Sequence, residues 1–301
     1  MSKIFSPGKL LLTSEYFVLD GALALAVPTR LGQTFYCEDL PESSSVVHWV
    51  AKHQGTLWLE CWVDYRLGKV LRTNNANASA FILKVLLEAK RLSSSRFSFG
   101  ESYRIETNLE FPSNFGLGSS STLMNNLAQW AEIDPFTLNA VSLGGSGYDI
   151  AVAQKKSPLL YQLQGNERRV ESIDISFPFT DQLLFLHLGK KQDSREGIRR
   201  FREKQISRED IHEFSELTRK VVSCDSLENF SQLMIAHEAK VSELLALTTV
   251  KETYFSQAPV FVKSLGAWGG DFVMTCKFPG YESYFRDKGF SDIFQWSELI
   301  I

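Results

Sequence analysis

The stretch Pro112-Ser113-Asn114-Phe115-Gly116-Leu117-Gly118-Ser119-Ser120-Ser121-Thr122 decides how the rest of the chain is read. A leucine stands between two glycines, three serines follow, and Thr122 to Trp130 continues at helical spacing. Glycines let a backbone turn its N–H groups inward, and a helix N-terminus adds partial positive charge. The segment therefore predicts a concave anion site suited to phosphate. Serine hydroxyls there can donate to phosphate oxygens or ligate a hard cation such as Mg²⁺. A single glycine turn before a Ser-capped helix carries no such meaning, so the other motifs must decide. The chain holds no Gly-x-x-x-x-Gly-Lys-Ser/Thr run, and Ser121 stands where a dinucleotide fingerprint wants its third glycine.

At 301 residues, with 44% hydrophobic and 22% charged side chains, the composition is that of a globular protein long enough for two domains. A net charge of −3 without a long basic run argues against nucleic acid and acidic membrane surfaces as partners. Cys37, Cys61, Cys224 and Cys276 lie far apart with no Cys-x-x-Cys pair, which argues against a zinc site and fits reduced thiols in the cytoplasm. The opening residues lack a signal-peptide pattern, and no apolar run approaches the length of a membrane span.

Short strands separated by turn residues are predicted over 4–5, 9–13, 22–27, 33–38, 46–50 and 57–63. The apolar positions 81, 82, 85, 86 and 89 predict a helix over 77–92. A strand over 103–111 delivers the glycine loop, a helix over 122–131 follows, and a short helix runs from 134 to 143. Strands are expected at 158–164, 170–175, 183–188 and 272–277, with helices at 194–203, 208–223, 226–247 and 258–265. Strands and helices mix without strict alternation, so the fold class is α+β in two domains, 1–178 and 179–301.

Three further segments accompany the glycine loop: Ser6-Pro7-Gly8-Lys9-Leu10 leading to Glu15-Tyr16, Gly145-Ser146-Gly147-Tyr148-Asp149, and Gly266-Ala267-Trp268-Gly269-Gly270-Asp271. Through these four segments together the chain resembles the GHMP kinase superfamily, over nearly its whole length and with the motifs in the family's order. The run Pro112 to Ser120 has the specific form Pro-x-x-x-Gly-Leu-Gly-Ser-Ser. The mevalonate and phosphomevalonate branch is the most similar, through Pro7-Gly8-Lys9-Leu10 with Glu15-Tyr16 and through the ending Gly269-Gly270-Asp271. Gly145 to Ala151 also resembles a bacterial group marked by Gly-Tyr-Asp-Ile-Ala.

The resemblance implies a fold and a chemistry. The fold is a ribosomal-protein-S5-domain-2-like N-terminal half and a ferredoxin-like C-terminal half. The chemistry is transfer of the γ-phosphoryl group of ATP, with Mg²⁺, to a small hydroxy acid or its phosphate, with mevalonate or phosphomevalonate foremost. Pro112, Gly116, Leu117, Gly118, Ser119, Ser120 and Ser121 would cradle the triphosphate, closed over by Gly266, Ala267, Gly269 and Gly270, and Ser120 would ligate the metal. Asp149 would act as general base or orient the attacking hydroxyl, and Lys9 would hold it ionised and neutralise transition-state charge. Ser146, Glu15 and Tyr16 are candidate substrate contacts, although Glu15 and Tyr16 can equally brace the first hairpin. Lys190, Lys191 and Ser194, after a strand and at a helix start, suit a substrate carboxylate or phosphate; a solvated, capped loop is the alternative.

Two departures from the family stand out. Trp268 occupies a position where the family has a small glycine, and would crowd the turn or stack on a ligand. The segment between Ser121 and Gly144 is shorter than in mevalonate kinases, leaving Glu132 as the nearest candidate for a metal-binding glutamate. A GHMP-type kinase for homoserine or a sugar, and a non-catalytic nucleotide-binding regulator on the same scaffold, remain alternatives.

Overall fold

The structure is a computed structural model that describes residues 2–165, 167–189, 194–266, 268 and 270–301, with only the backbone of Ser194 and Arg195. Of the candidate site residues, Lys190, Lys191, Ala267, Gly269 and the side chain of Ser194 lie outside the described residues. Two compact units interleave along the chain. One comprises Met1–Gly8, Leu31–Ser113 and Leu117–Lys156, the other Lys9–Arg30, Asn114–Gly116 and Ser157–Ile301. A single cut near 178 does not separate them, because the first two strands contribute residues to both.

The first unit draws on β1 (Ser2–Leu11), β2 (Ala24–Leu40), β3 (Val46–His53), β4 (Thr56–Asp64), β5 (Lys69–Thr73), α1 (Ala76–Leu92), β6 (Ser102–Leu109), α2 (Ser119–Ala131), α3 (Pro135–Ser142) and α4 (Tyr148–Lys155). Its sheet runs β5-β4-β3-β6-β2, antiparallel except for the parallel pair β3–β6. Register places Trp49 opposite Cys61 on β4 and Ile105 on β6. Period-two alternation turns Leu59, Cys61 and Val63 inward, where they meet Val85, Leu86 and Ala89 of α1 and Leu127 and Ala128 of α2 in one apolar core.

Strands β1 and β2 are each longer than the sequence suggests, since Pro7-Gly8, Pro28 and Gly32 read as breaks. Gly32 explains the continuity. A Cβ there would lie 2.2 Å from the Ser6 carbonyl oxygen and 2.6 Å from the Phe5 ring, so the glycine marks a close backbone approach within a strand.

Helix α2 is unusual in burying polar side chains. Asn126 donates to the Gln33 carbonyl (2.9 Å) and accepts from the Ser6 hydroxyl (2.6 Å). Asn125 donates to Ser6 Oγ (2.8 Å) and to the Ala153 carbonyl of α4 (3.3 Å). These bonds tie α2 to the sheet and to α4, and so fix the helix that the glycine loop enters.

The second unit contains β7 (Leu159–Gln164), β8 (Glu167–Ser172), β9 (Leu183–His187), α5 (Ser194–Arg202), α6 (Arg208–Val222), α7 (Leu227–Leu245), α8 (Val250–Tyr254), β10 (Val262–Leu265), β11 (Phe272–Cys276), α9 (Tyr281–Asp287), β12 (Ile293–Gln295) and α10 (Trp296–Leu299). Strand β7 pairs with Ala24–Ala26 of β2 on one side and β8 on the other. A separate four-stranded sheet is antiparallel in the order β10-β11-β9-β12. Numbered within that half the order is 2-3-1-4, the arrangement of a ferredoxin-like sheet, as the resemblance implied.

The helix expected over 258–265 is instead a turn followed by β10. Its source is the run Pro259-Val260-Phe261-Val262, where proline restricts the preceding residue and β-branched side chains fit a pleated surface better than a helix. Among the described residues no helix is long and apolar enough to cross a membrane.

Asn126→Ala is expected to strand the Gln33 carbonyl and weaken the Ser6 network. At about 1–3 kcal/mol for an unsatisfied buried polar group, the loss should total about 2–4 kcal/mol. A urea unfolding midpoint lowered accordingly, with unchanged slope, checks this.

Candidate active site

In the glycine loop, Gly116 and Gly118 have φ of 69° and 86°, left-handed values that favour glycine. Leu117 between them is buried. Gly118 is the N-cap of α2 and brings no side-chain cap, so the first-turn N–H groups face outward without a side-chain acceptor. The helix begins at Ser119, earlier than the sequence suggests, and places all three serines in its first turn.

The serines divide by role. Ser121 donates to the Gly118 carbonyl (2.8 Å), and the neighbouring Thr122 bonds Gln33 and the Ser119 carbonyl, each at 2.9 Å. Ser120 is exposed, and its hydroxyl has no hydrogen-bond partner among the described residues. Ser120 is thus the most exposed hydroxyl of this turn and open to a ligand, while the half-buried Ser119 engages Thr122 through its carbonyl alone. Glu132 is the C-cap of the same 13-residue helix, about 20 Å along its axis from Ser119. It cannot share a ligand with Ser120.

The second glycine turn has the same construction in the same unit. Gly147, at φ 87°, caps α4 without a side-chain bond, and Asp149 lies in that helix's first turn. Asp149 Oδ1 accepts the Ile150 N–H at 3.0 Å, which orients the carboxylate. Ser146 is buried beside this turn in sequence. Helix α4 was not anticipated, because only eight residues separate its glycine cap from its end and too few apolar repeats exist to reveal a period.

In the second unit, Lys9 Nζ donates to the Gly116 carbonyl at 3.0 Å, so the structure joins these two sequence-selected residues. Gly116 also meets Asp271. A Cβ at 116 would fall 2.2 Å from Asp271 Cγ and 2.3 Å from its Oδ2. A carboxylate therefore rests directly on the loop glycine, a contact that the motif ending in Asp271 does not reveal. Gly266 (φ 75°) approaches the same carboxylate, its absent Cβ 3.6 Å from Oδ2.

Trp268 neither crowds its turn nor reaches outward. Its ring is buried in an apolar cluster with Tyr16, Phe17, Phe201, Phe214 and Leu245. Indole Nε1 donates to the Thr248 carbonyl (3.2 Å), and the main-chain N–H donates to Tyr16 Oη (2.9 Å). Tyr16 stacks on Phe201 and abuts Gly197 of α5, where a Cβ would lie 2.3 Å from the phenol oxygen.

Glu15 is 2% exposed and ion-paired with Lys263 Nζ at 2.6 Å, the bracing arrangement rather than an open carboxylate. Lys263, His237 and Glu238 are buried beside it. His237 Nε2 accepts the Ser14 N–H (2.7 Å), so the imidazole carries its proton on Nδ1; burial, reinforced by the Lys263 charge, holds its pKa well below the usual value. Burial likewise raises the pKa of Glu15 against the pull of Lys263, and pushes Glu238 up to about 7. Sequence reading passed over Lys263. Its signal was a lone charge inside the apolar run Val260–Leu265, which needs a buried counter-charge. Among the described residues no group of three or more His, Cys, Asp or Glu could hold a metal ion.

No protein-family model matches the chain, and no curated protein matches it in sequence. Solved structures do match it in fold. Phosphomevalonate kinase of Streptococcus pneumoniae, in complex with phosphomevalonate and AMPPNP, superposes with TM-score 0.72 at 15% identity, over 98% of this chain and 100% of that one. Mevalonate kinase of Methanococcus jannaschii gives 0.67 at 16% identity, over 97% and 96%. Galactokinase of Lactococcus lactis, complexed with galactose, gives 0.62 at 13% identity, over 95% and 88%. The chain shares the fold of these kinases over nearly its whole length.

The buried carboxylates set a pH dependence. Glu238 titrates near 4.5 when unfolded and near 7 when folded, so the folded state holds the extra proton between those values. Its contribution to stability is complete below pH 4.5 and is lost as pH rises through 7, a change of about 3 kcal/mol at most. Glu238→Gln should therefore flatten the decline, gaining on the parent protein between pH 5 and pH 8 in denaturant titrations.

Proposed function

We propose that this protein is an ATP-dependent small-molecule kinase of the GHMP type, acting on mevalonate or phosphomevalonate. The observation that carries the reading is the Gly116–Ser120 turn: left-handed glycines, an uncapped helix N-terminus and a free, exposed Ser120 hydroxyl on a whole-chain kinase fold. The complex of the S. pneumoniae enzyme with phosphomevalonate and AMPPNP supports an ATP-type nucleotide and, of the two acceptors, phosphomevalonate.

In this reading the first-turn N–H groups of α2 and the backbone of 116–118 bind the triphosphate, supplying fixed positive potential where charge accumulates. Lys9, already bonded to the Gly116 carbonyl, places an ammonium at the loop and neutralises the migrating phosphoryl group. Asp149, oriented by the Ile150 N–H, accepts or aligns the proton of the substrate hydroxyl. Ser120 is the residue that would hold Mg²⁺, whose role when bound is to offset triphosphate charge. By the family resemblance, Ser146 and Tyr16 are assigned to the acceptor, and Gly266, Ala267, Gly269 and Gly270 to the nucleotide. Lys190, Lys191 and Ser194 bind the acceptor's carboxylate or phosphate.

A coupled assay for ADP release over mevalonate, phosphomevalonate, homoserine and galactose tests the assignment. Turnover with either of the first two supports it; turnover with only homoserine or galactose overturns the substrate while keeping the kinase. Asp149→Asn should lower kcat by about 10²–10⁴ with little change in ATP affinity. Lys190→Ala or Lys191→Ala should raise KM for the acid roughly 10- to 150-fold, the equivalent of one charge-assisted contact, and leave KM for ATP within about twofold.

A further inference from the structure

Residues Ser14, Glu15 and Tyr16 form a turn whose outer two members have φ of 63° and 65°, a region that side-chain-bearing residues avoid. Such a conformation persists only where its surroundings impose it. The Ser14 N–H donates to His237 Nε2 (2.7 Å) and its hydroxyl to the Leu23 carbonyl (2.7 Å). Glu15 Oε1 takes the Lys263 ammonium at 2.6 Å. That ammonium also donates to the Ser264 carbonyl (2.6 Å), and Glu238 holds the Ser264 N–H and hydroxyl at 3.1 and 2.8 Å. All four ionisable groups are at most 3% exposed.

Lys263 lies on β10, which ends at Leu265, immediately before the Gly266 turn. One ammonium thus grips the 14–16 turn through Glu15 and the entry to the 266–271 turn through Ser264. The two turns are joined a second time where Tyr16 Oη accepts the Trp268 N–H at 2.9 Å. Tyr16 makes that bond from the left-handed backbone conformation that directly follows the paired Glu15.

Stability alone does not call for charges here, since a buried ion pair returns about what its desolvation costs and apolar replacements often do as well. What the pair supplies is a fixed separation of two turns. We propose that Lys263, acting through Glu15, is a positioning residue of the candidate active site: it locks the 14–16 turn so that Tyr16 holds the Trp268 main chain in place. The inference deepens the kinase reading and rests on it for the consequence in turnover, though not for the coupling itself.

The test compares the full-length parent with Lys263→Met/Glu15→Leu, which replaces the pair by apolar side chains, and with Tyr16→Phe, which removes only the hydroxyl. Hydrogen exchange at the Trp268 amide reads the coupling without reference to activity. Both variants are expected to lose protection there by tenfold or more, with melting temperatures near that of the parent. In the acceptor assay the same variants should lose tenfold or more in kcat, with KM for ATP nearly unchanged. A stable double variant with parental Trp268 protection, or with parental kcat, overturns the proposal. Should the double variant not fold, Tyr16→Phe decides by the same two readouts. If the parent phosphorylates none of the acceptors, the kinase reading fails, and the exchange measurement alone then sustains or overturns the coupling.

Discussion

The second unit is organised around one buried ammonium. Lys263 has to satisfy its charge and its donors away from water, and it does so with the Glu15 carboxylate and the Ser264 carbonyl, with Glu238 3.8 Å away. Every element that touches it is constrained in consequence. Strand β10 cannot slip without moving the carbonyl, α7 presents Glu238 and the neutral His237, and the 14–16 turn accepts two left-handed residues. A buried charge tolerates few arrangements, because leaving one partner unpaired costs more than any rearrangement of nearby apolar groups returns.

The first unit reaches a comparable precision by other means. Its glycine loop leads into a helix whose buried face carries two asparagines, bonded to a strand serine, a strand carbonyl and a second helix. Apolar packing would fix the height of α2 above the sheet but permit rotation and sliding; directional bonds remove both freedoms. The outcome is an N-terminus whose own cap is glycine, leaving its N–H groups for a ligand, with Ser121 and Thr122 occupied internally and Ser120 facing solvent.

Glycine is used at three kinds of contact, and only one concerns conformation alone. Gly118 and Gly147 need positive φ to open helices. Gly32 permits two strands to touch through their backbones, and Gly116 admits the Asp271 carboxylate where a Cβ would stand. That last contact places an acidic group against the glycine loop, a combination that the loop's composition alone does not suggest.

The sequence by itself determined the mixed α+β class, the ferredoxin-like second half through its family resemblance, and a glycine loop running from a strand into a helix at 116–118. These are legible because glycine, proline and apolar period act locally. It did not reveal that β1 and β2 run on through Pro7-Gly8, Pro28 and Gly32, that 262–265 is a strand, or that a helix follows Gly147. Nor did it distinguish Ser120 from Ser121, show that Glu132 caps the far end of α2, bury Trp268, or match Lys263 with Glu15 across 248 positions of chain. Those outcomes depend on which distant groups share a dry interior. Desolvation and hydrogen-bond geometry decide them, and neither has a local period to read.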